Sequence, residues 1–174
     1  MVCTFFGHRD APSEIRDNLQ AVLVDLIENH GADTFYVGNN GSFDAMARNV
    51  LIELKPIYPH IELFVVLAYL PTKKGYEADY ETIYPEGLED TPPKFAISKR
   101  NEWLVENSDT VITYVERSWG GASQFKKLAE KCCQICPHYR CKSVFFIFGN
   151  ALVCKIHRAA VVRAVPRSLL GCAL

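Results

Sequence analysis

Three short segments place glycine beside residues that can hold or move charge: Gly7-His8-Arg9-Asp10, Gly38-Asn39-Asn40-Gly41-Ser42-Phe43-Asp44 and Ser118-Trp119-Gly120-Gly121-Ala122-Ser123. Glycine lets a backbone come close to a ligand. Where such a loop opens a helix, the unpaired N–H groups and the helix dipole favour a phosphate or carboxylate. Gly7, Gly38, Asn39, Gly41, Ser42, Gly120, Gly121, Ala122 and Ser123 are therefore candidate ligand-holding positions. Arg9 suits a fork to phosphate, and His8 suits a hydrogen-bond donor or proton carrier. Asp44, one turn into the helix that follows Gly41, is placed to hydrogen-bond a ribose hydroxyl or orient a base, or simply to complement the helix dipole. Asp10 could face the same crevice or cap a helix beginning near Ser13. Trp119 reads as a stacking face for a base or as a core plug. Each glycine pair alone is also an ordinary turn, so it is their coincidence that points to a site.

The elements that must carry these segments follow from hydrophobic periodicity. Val2 to Phe6 is a short apolar run, after which Ile15, Leu19, Val22, Leu23, Leu26 and Ile27 recur at helical spacing until Gly31. Thr34 to Val37 reads as a strand, and Phe43, Met46, Ala47, Val50, Leu51 and Leu54 line one face of a helix up to Pro56. Ile61 to Leu67 is nearly continuous in apolar residues, as in a strand of a parallel sheet covered on both faces, which predicts a central position. Pro71 to Pro93 shows no period; a loop of that length reads as a lid able to offer Tyr76, Tyr80 or Tyr84 to a ligand. Phe95 to Asn107 is helical in pattern, Thr110 to Val115 strand-like, and Gln124 to Lys131 begins another helix. Ser143 to Phe148 supplies a last strand and Ala159 to Val165 a weak closing helix. The alternation predicts an α/β fold, a Rossmann-like open parallel sheet with helices on both faces. All three chemical segments then fall just after strands, where this fold class binds ligands.

The chain has 174 residues, 49% of them hydrophobic and 22% charged, which predicts one domain with its own core and excludes a disordered chain. The longest apolar stretch, Leu63 to Leu70, is too short to span a bilayer, and no secretory leader pattern follows Met1, so a cytoplasmic protein without a membrane partner is expected. Net charge is −1, but unevenly divided. Residues 1–130 hold all 20 acids and 12 Lys and Arg, net −8, whereas residues 131–174 hold 7 basic residues and no acid. The tail also carries six of the seven cysteines; an odd total argues for reduced thiols.

The segments Thr4-Phe5-Phe6-Gly7-His8-Arg9 and Val37-Gly38 to Asp44, then Arg100 with Ser108-Asp109-Thr110-Val111-Ile112 and Trp119-Gly120-Gly121, resemble the SLOG superfamily. This group of Rossmannoid nucleotide-binding proteins includes the LOG phosphoribohydrolases and the DNA-processing Smf/DprA proteins; its small bacterial branch opening on Gly-His-Arg is the nearest in pattern. The resemblance covers roughly residues 1–130 and divides the chain into a nucleotide-binding core and a basic, cysteine-rich segment, 131–174, that completes or extends the same domain. It implies that Gly38 and Gly41 form a first phosphate loop. It aligns Gly120 and Gly121 with the glycine pair of the LOG motif, and Arg100 with the LOG arginine, a candidate catalytic or phosphate-gripping residue. Where that motif has Gly-Thr and a catalytic Glu, this chain has Ser123, Gln124 and Lys127. A carboxylate is what N-glycosidic hydrolysis needs, and Lys127 reverses its charge.

The leading expectation is a protein that binds or senses a nucleotide-like small molecule, such as an ADP-ribose relative. The alternative is a LOG-like nucleoside monophosphate N-glycosidase using Arg100, His8 or Asp44. Single-stranded nucleic acid is disfavoured by the acidic first 130 residues. No cofactor is implied, and a homodimer is left open. In the tail, Cys133-x-x-Cys136 and Cys154-x-x-His157 match zinc-ribbon spacing. The apolar run Val144 to Phe148 between them and the surplus of Cys132, Cys141 and His138 oppose that, so no metal is expected. The same tail also reads as a divergent or frame-altered end.

Overall fold

A computed structural model describes residues 1–71 and 80–135 and the strands 143–148, 151–156 and 159–164, with side chains described through residue 131. The chain runs β1 (Val2–Gly7), a 3-10 turn (Ser13–Ile15), α1 (Arg16–His30), β2 (Thr34–Val37), α2 (Ser42–Leu54), β3 (Glu62–Val66), β4 (Glu81–Ile83) and α3 (Pro93–Glu106). It continues through β5 (Thr110–Tyr114), α4 (Gly121–Ile135), β6 (Ser143–Phe148), β7 (Ala151–Ile156) and β8 (Ala159–Ala164). The strands form one sheet in the order β4-β3-β2-β1-β5-β6-β7-β8. The first six pair in parallel, and β7 and β8 are added antiparallel. The fold is α/β and Rossmann-like.

The two-residue period of the strands decides which side chains meet which helices. Cys3 and Phe5 of β1, Phe35 and Val37 of β2 and Ile112 and Tyr114 of β5 pack with Leu19, Leu23 and Leu26 of α1 and Ala47, Val50 and Leu51 of α2. The alternate residues Phe6 and Val111 pack with Leu104 and Val105 of α3 and Phe125 and Ala129 of α4. All five residues of β5 are buried, as a strand covered on both faces requires.

From β1 the chain moves outward through β2, β3 and β4, then crosses back to lay β5 on the other side of β1. The strand order therefore reverses between β1 and β5, which opens a crevice at their carboxyl ends. Their register, Cys3 with Thr110 through Gly7 with Tyr114, brings the Gly-His-Arg segment level with the segment that leads to Trp119.

Several expectations are corrected. Ile61 to Leu67 supplies β3, but it lies beside the edge strand β4 rather than centrally. β4 is only three residues long, within the segment read as structureless, and too short to show a period. Ala159–Ala164 is strand β8 rather than a closing helix: Val161 and Val162 are β-branched, and pairing with β7 satisfies the backbone. β7 is a further strand that the periodicity does not announce; it pairs antiparallel with β6, Phe148 opposite Ala151. Among the described residues no helix is long and apolar enough to cross a membrane.

Candidate functional site

A cleft of about 320 Å³ lies at the switch point, lined by residues that follow β1, β2 and β5 and by one side of α3. Gly7, His8, Arg9, Asp10, Gly38, Asp44, Arg100, Trp119, Gly120, Gly121 and Ala122 all line it, so eleven of the fifteen positions singled out in the glycine segments and at Arg100 converge there. Asn39, Gly41, Ser42 and Ser123 do not line it.

Arg100 forms part of the inner wall. It reaches from α3 with 2% of its surface exposed, donating from Nη1 to the Val66 carbonyl (2.9 Å) and from Nη2 to Asn40 Oδ1 (3.1 Å). The guanidinium is engaged by the Val66 carbonyl at the end of β3 and by Asn40 in the loop after β2. Its Nε is buried and has no hydrogen-bond partner among the described residues. Asp44, 9% exposed, accepts from the Asn40 N–H at Oδ2 (3.0 Å). A Cβ on Gly38 would collide with Asp44 Oδ2 and lie 2.6 Å from Arg100 Nη1. Gly38 thus leaves open a space that the Asp44 carboxyl and the Arg100 guanidinium both crowd.

Burial pushes the Asp44 carboxyl above its ordinary value, against the pull of the Arg100 guanidinium and the Asn40 N–H. Burial likewise lowers Arg100, against the support of Asp44. Both directions say that desolvation outweighs the attraction, as is common for buried pairs. A strained acid beside a fixed cation in a cleft is a pattern of functional sites.

The first glycine loop is closed by the protein itself. The Ser42 N–H donates to the Arg9 carbonyl (2.9 Å) and Ser42 Oγ to the carbonyls of Arg9 (2.7 Å) and Ala11 (3.2 Å). A Cβ on Gly41 would stand 2.9 Å from Arg9 Cα, and one on Gly7 would enter the Phe43 ring. Gly7, Gly41 and Ser42 therefore seat the β1 loop against α2. The start of α4 is different. Gly120 has φ of 90°, and among the described residues no atom beyond the adjoining chain lies within 4 Å of where a Cβ on Gly120 or Gly121 would stand. The first bond of the helix ladder is from the Gln124 N–H to the Gly120 carbonyl (3.1 Å), so the amides of Gly121, Ala122 and Ser123 precede it.

The loop between β5 and α4 is held at three points. His8 Nε2 accepts from the N–H groups of Glu116 (2.9 Å) and Arg117 (3.1 Å), and its ring stands edge-on to Tyr114. That nitrogen accepts, so His8 positions the loop through Nε2. Asp10 receives both ends of the Arg117 guanidinium (2.6 and 3.3 Å), which rules out its reading as a helix cap and holds its carboxyl below the ordinary value. Lys127 Nζ donates to the Ser118 carbonyl (3.3 Å), so Lys127 secures the loop. Trp119 is 69% exposed and is not a core plug.

Sequence reasoning missed Asn40, which anchors both Arg100 and Asp44, and Arg117, which ties Asp10 to the Trp119 ring (5.6 Å from its centroid). Asn40 stood inside a segment already singled out; nothing in the spacing announced Arg117. Of the tyrosines read as a lid, Tyr80 lies beneath the Arg48 guanidinium, Tyr84 does not line the cleft, and Tyr76 falls outside the described residues. So do Cys136 and His157 of the zinc spacing and the side chains of Cys133 and Cys154.

No family model matches the chain. A curated protein of Halalkalibacterium halodurans, named UPF0398 protein BH1768, is 27% identical over 136 residues, covering 71% of each chain.

Proposed function

We propose that this protein binds a nucleotide or nucleotide-derived ligand in the switch-point cleft, with a phosphate on the first turn of α4. The observation that carries the reading is the contrast between the two helix starts that follow the glycine loops. At α2 the Ser42 N–H is taken by the Arg9 carbonyl, whereas α4 opens on a glycine pair that lines the cleft and beside which, among the described residues, a Cβ would meet no atom beyond the adjoining chain within 4 Å. Unladdered amides and the helix dipole at such a start favour an anion. The Lys127 amine, drawn back to Ser118, adds positive charge to the same turn. The resemblance to SLOG proteins supports the reading from an independent direction. Arg100 and Asp44 give the wall a polar lining that orients the remainder of the ligand.

A thermal-shift screen of nucleoside mono- and diphosphates and ADP-ribose tests it. A ligand of the native state raises the melting temperature by mass action. The reading expects at least one phosphorylated nucleotide to do so while the parent nucleoside does not, and a uniformly flat screen overturns it.

A second reading has one observation in its favour, the raised carboxyl of Asp44 in the cleft wall. It would make the protein a hydrolase of the N-glycosidic bond, with Asp44 rather than the residue at position 127 as the acid. Chromatography of the stabilising ligand decides between them: free base released catalytically supports the hydrolase, and an intact ligand supports binding alone.

A further inference from the structure

We infer that the free face of Trp119 is a stacking platform for the planar ring of the ligand, which makes the occupant base-bearing rather than a bare sugar phosphate. The inference rests on the phosphate reading above and extends the same site outward to its mouth. Six large hydrophobic side chains are exposed among the described residues, and Trp119, at 69%, is the most exposed of them and the one that lines the cleft. An indole left in water beside a cleft forgoes a large burial free energy, which a ligand can recover.

The ring is also held in place. Arg117 sets its guanidinium 5.6 Å from the indole centroid, and that guanidinium is itself forked onto Asp10. His8 fixes the Arg117 backbone from below. One side of the indole is thus occupied by a cation with its own anchors, and the exposed side faces outward from a rigid mount. Preorganisation of this kind lowers the entropy lost on binding. Trp119 and Gly121 are two residues apart, so their Cα atoms are separated by at most about 7.6 Å. A phosphate on the α4 amides and a ring on Trp119 would then belong to one small molecule, joined through a sugar.

The test uses Trp103→Phe, which leaves Trp119 as the sole tryptophan of the chain's two. Inorganic phosphate, ribose 5-phosphate, AMP, GMP and UMP are titrated while Trp119 emission is followed. Stacking on an aromatic side chain tolerates any base. The nucleotides should quench emission and, by calorimetry, bind at least about 10-fold more tightly than ribose 5-phosphate. By calorimetry on the chain that keeps Trp103, Trp119→Ala should weaken the nucleotides by roughly 10- to 100-fold and leave ribose 5-phosphate unchanged, with Trp119→Phe retaining most of the affinity. If ribose 5-phosphate binds as tightly as the nucleotides and Trp119→Ala alters neither, the platform is refuted while the phosphate site stands. If no phosphorylated compound binds, the phosphate reading fails and the platform falls with it.

Discussion

Arg100 and Asp44 converge on Gly38 and are joined through Asn40, whose Oδ1 accepts from Arg100 Nη2 and whose N–H donates to Asp44 Oδ2, while Arg100 Nη1 donates to the Val66 carbonyl. The pair joins α3, α2 and the carboxyl ends of β2 and β3 into one wall of the cleft. Burial works against the charge on both side chains, and in each case the charge of the other opposes that effect.

The glycines of the two loops should therefore separate. Gly38→Ala drives a Cβ into Asp44 and Arg100, and overpacking of this kind costs about 1–3 kcal/mol. Gly121→Ala meets nothing and should leave stability within about 0.5 kcal/mol of the parent. Urea unfolding of the two variants checks the contrast.

Arg100→Ala should destabilise the fold by about 3–5 kcal/mol, because it strands a buried carboxyl and removes the bonds to Val66 and Asn40. The double variant Arg100→Ala with Asp44→Asn should recover part of that loss. A double variant as unstable as the sum of the single changes would show that the two side chains are not coupled.

Asp10 and Asp44 should tilt the pH dependence of stability in opposite directions. The Asp10 carboxyl sits below its unfolded value of 3.8, so its contribution is present above that pH and is lost as pH falls through the lower folded value. The Asp44 carboxyl sits above 3.8, so the native state binds more protons than the unfolded state in that interval and stability falls as pH rises from 3.8 toward the folded value. Asp10→Asn should flatten the first slope and Asp44→Asn the second, read from urea midpoints across acidic pH.

Removing the His8 ring frees the Glu116 and Arg117 amides from their shared acceptor. In His8→Ala the hydrogen exchange of these two amides should accelerate about 10-fold, the scale of one hydrogen bond, while amides in the middle of β5 keep their protection. Unchanged exchange at Glu116 and Arg117 would remove His8 from its positioning role.

Much of the architecture was legible in the sequence because parallel strands covered on both faces write long apolar runs, as Val2–Phe6, Ile61–Leu67 and Thr110–Val115 do. β4 was illegible because three residues carry no period, and β8 because Ala-Ala-Val-Val-Arg-Ala suits either structure until a neighbouring strand pairs with it. The site was legible as positions but not as partnerships. The loops after strands are marked by glycine, whereas the bonds from Arg100 to Asn40 and from Glu116 to His8 span 60 and 108 residues of chain and are decided by strand order. The same limit hid the difference between the two glycine loops. Gly38 and Gly121 look alike in sequence, and only the folded neighbours show that one is filled and the other open.

Backbone amide chemical shifts during titration with a nucleotide that stabilises the protein test the central claim most directly. The account predicts that the largest changes fall on Gly121, Ala122 and Ser123, downfield as amides bonding to phosphate move, and that they vanish in Gly121→Val while that variant keeps its fold. Changes concentrated instead on Ser42 and Phe43 at the start of α2, or on neither helix start, would contradict it.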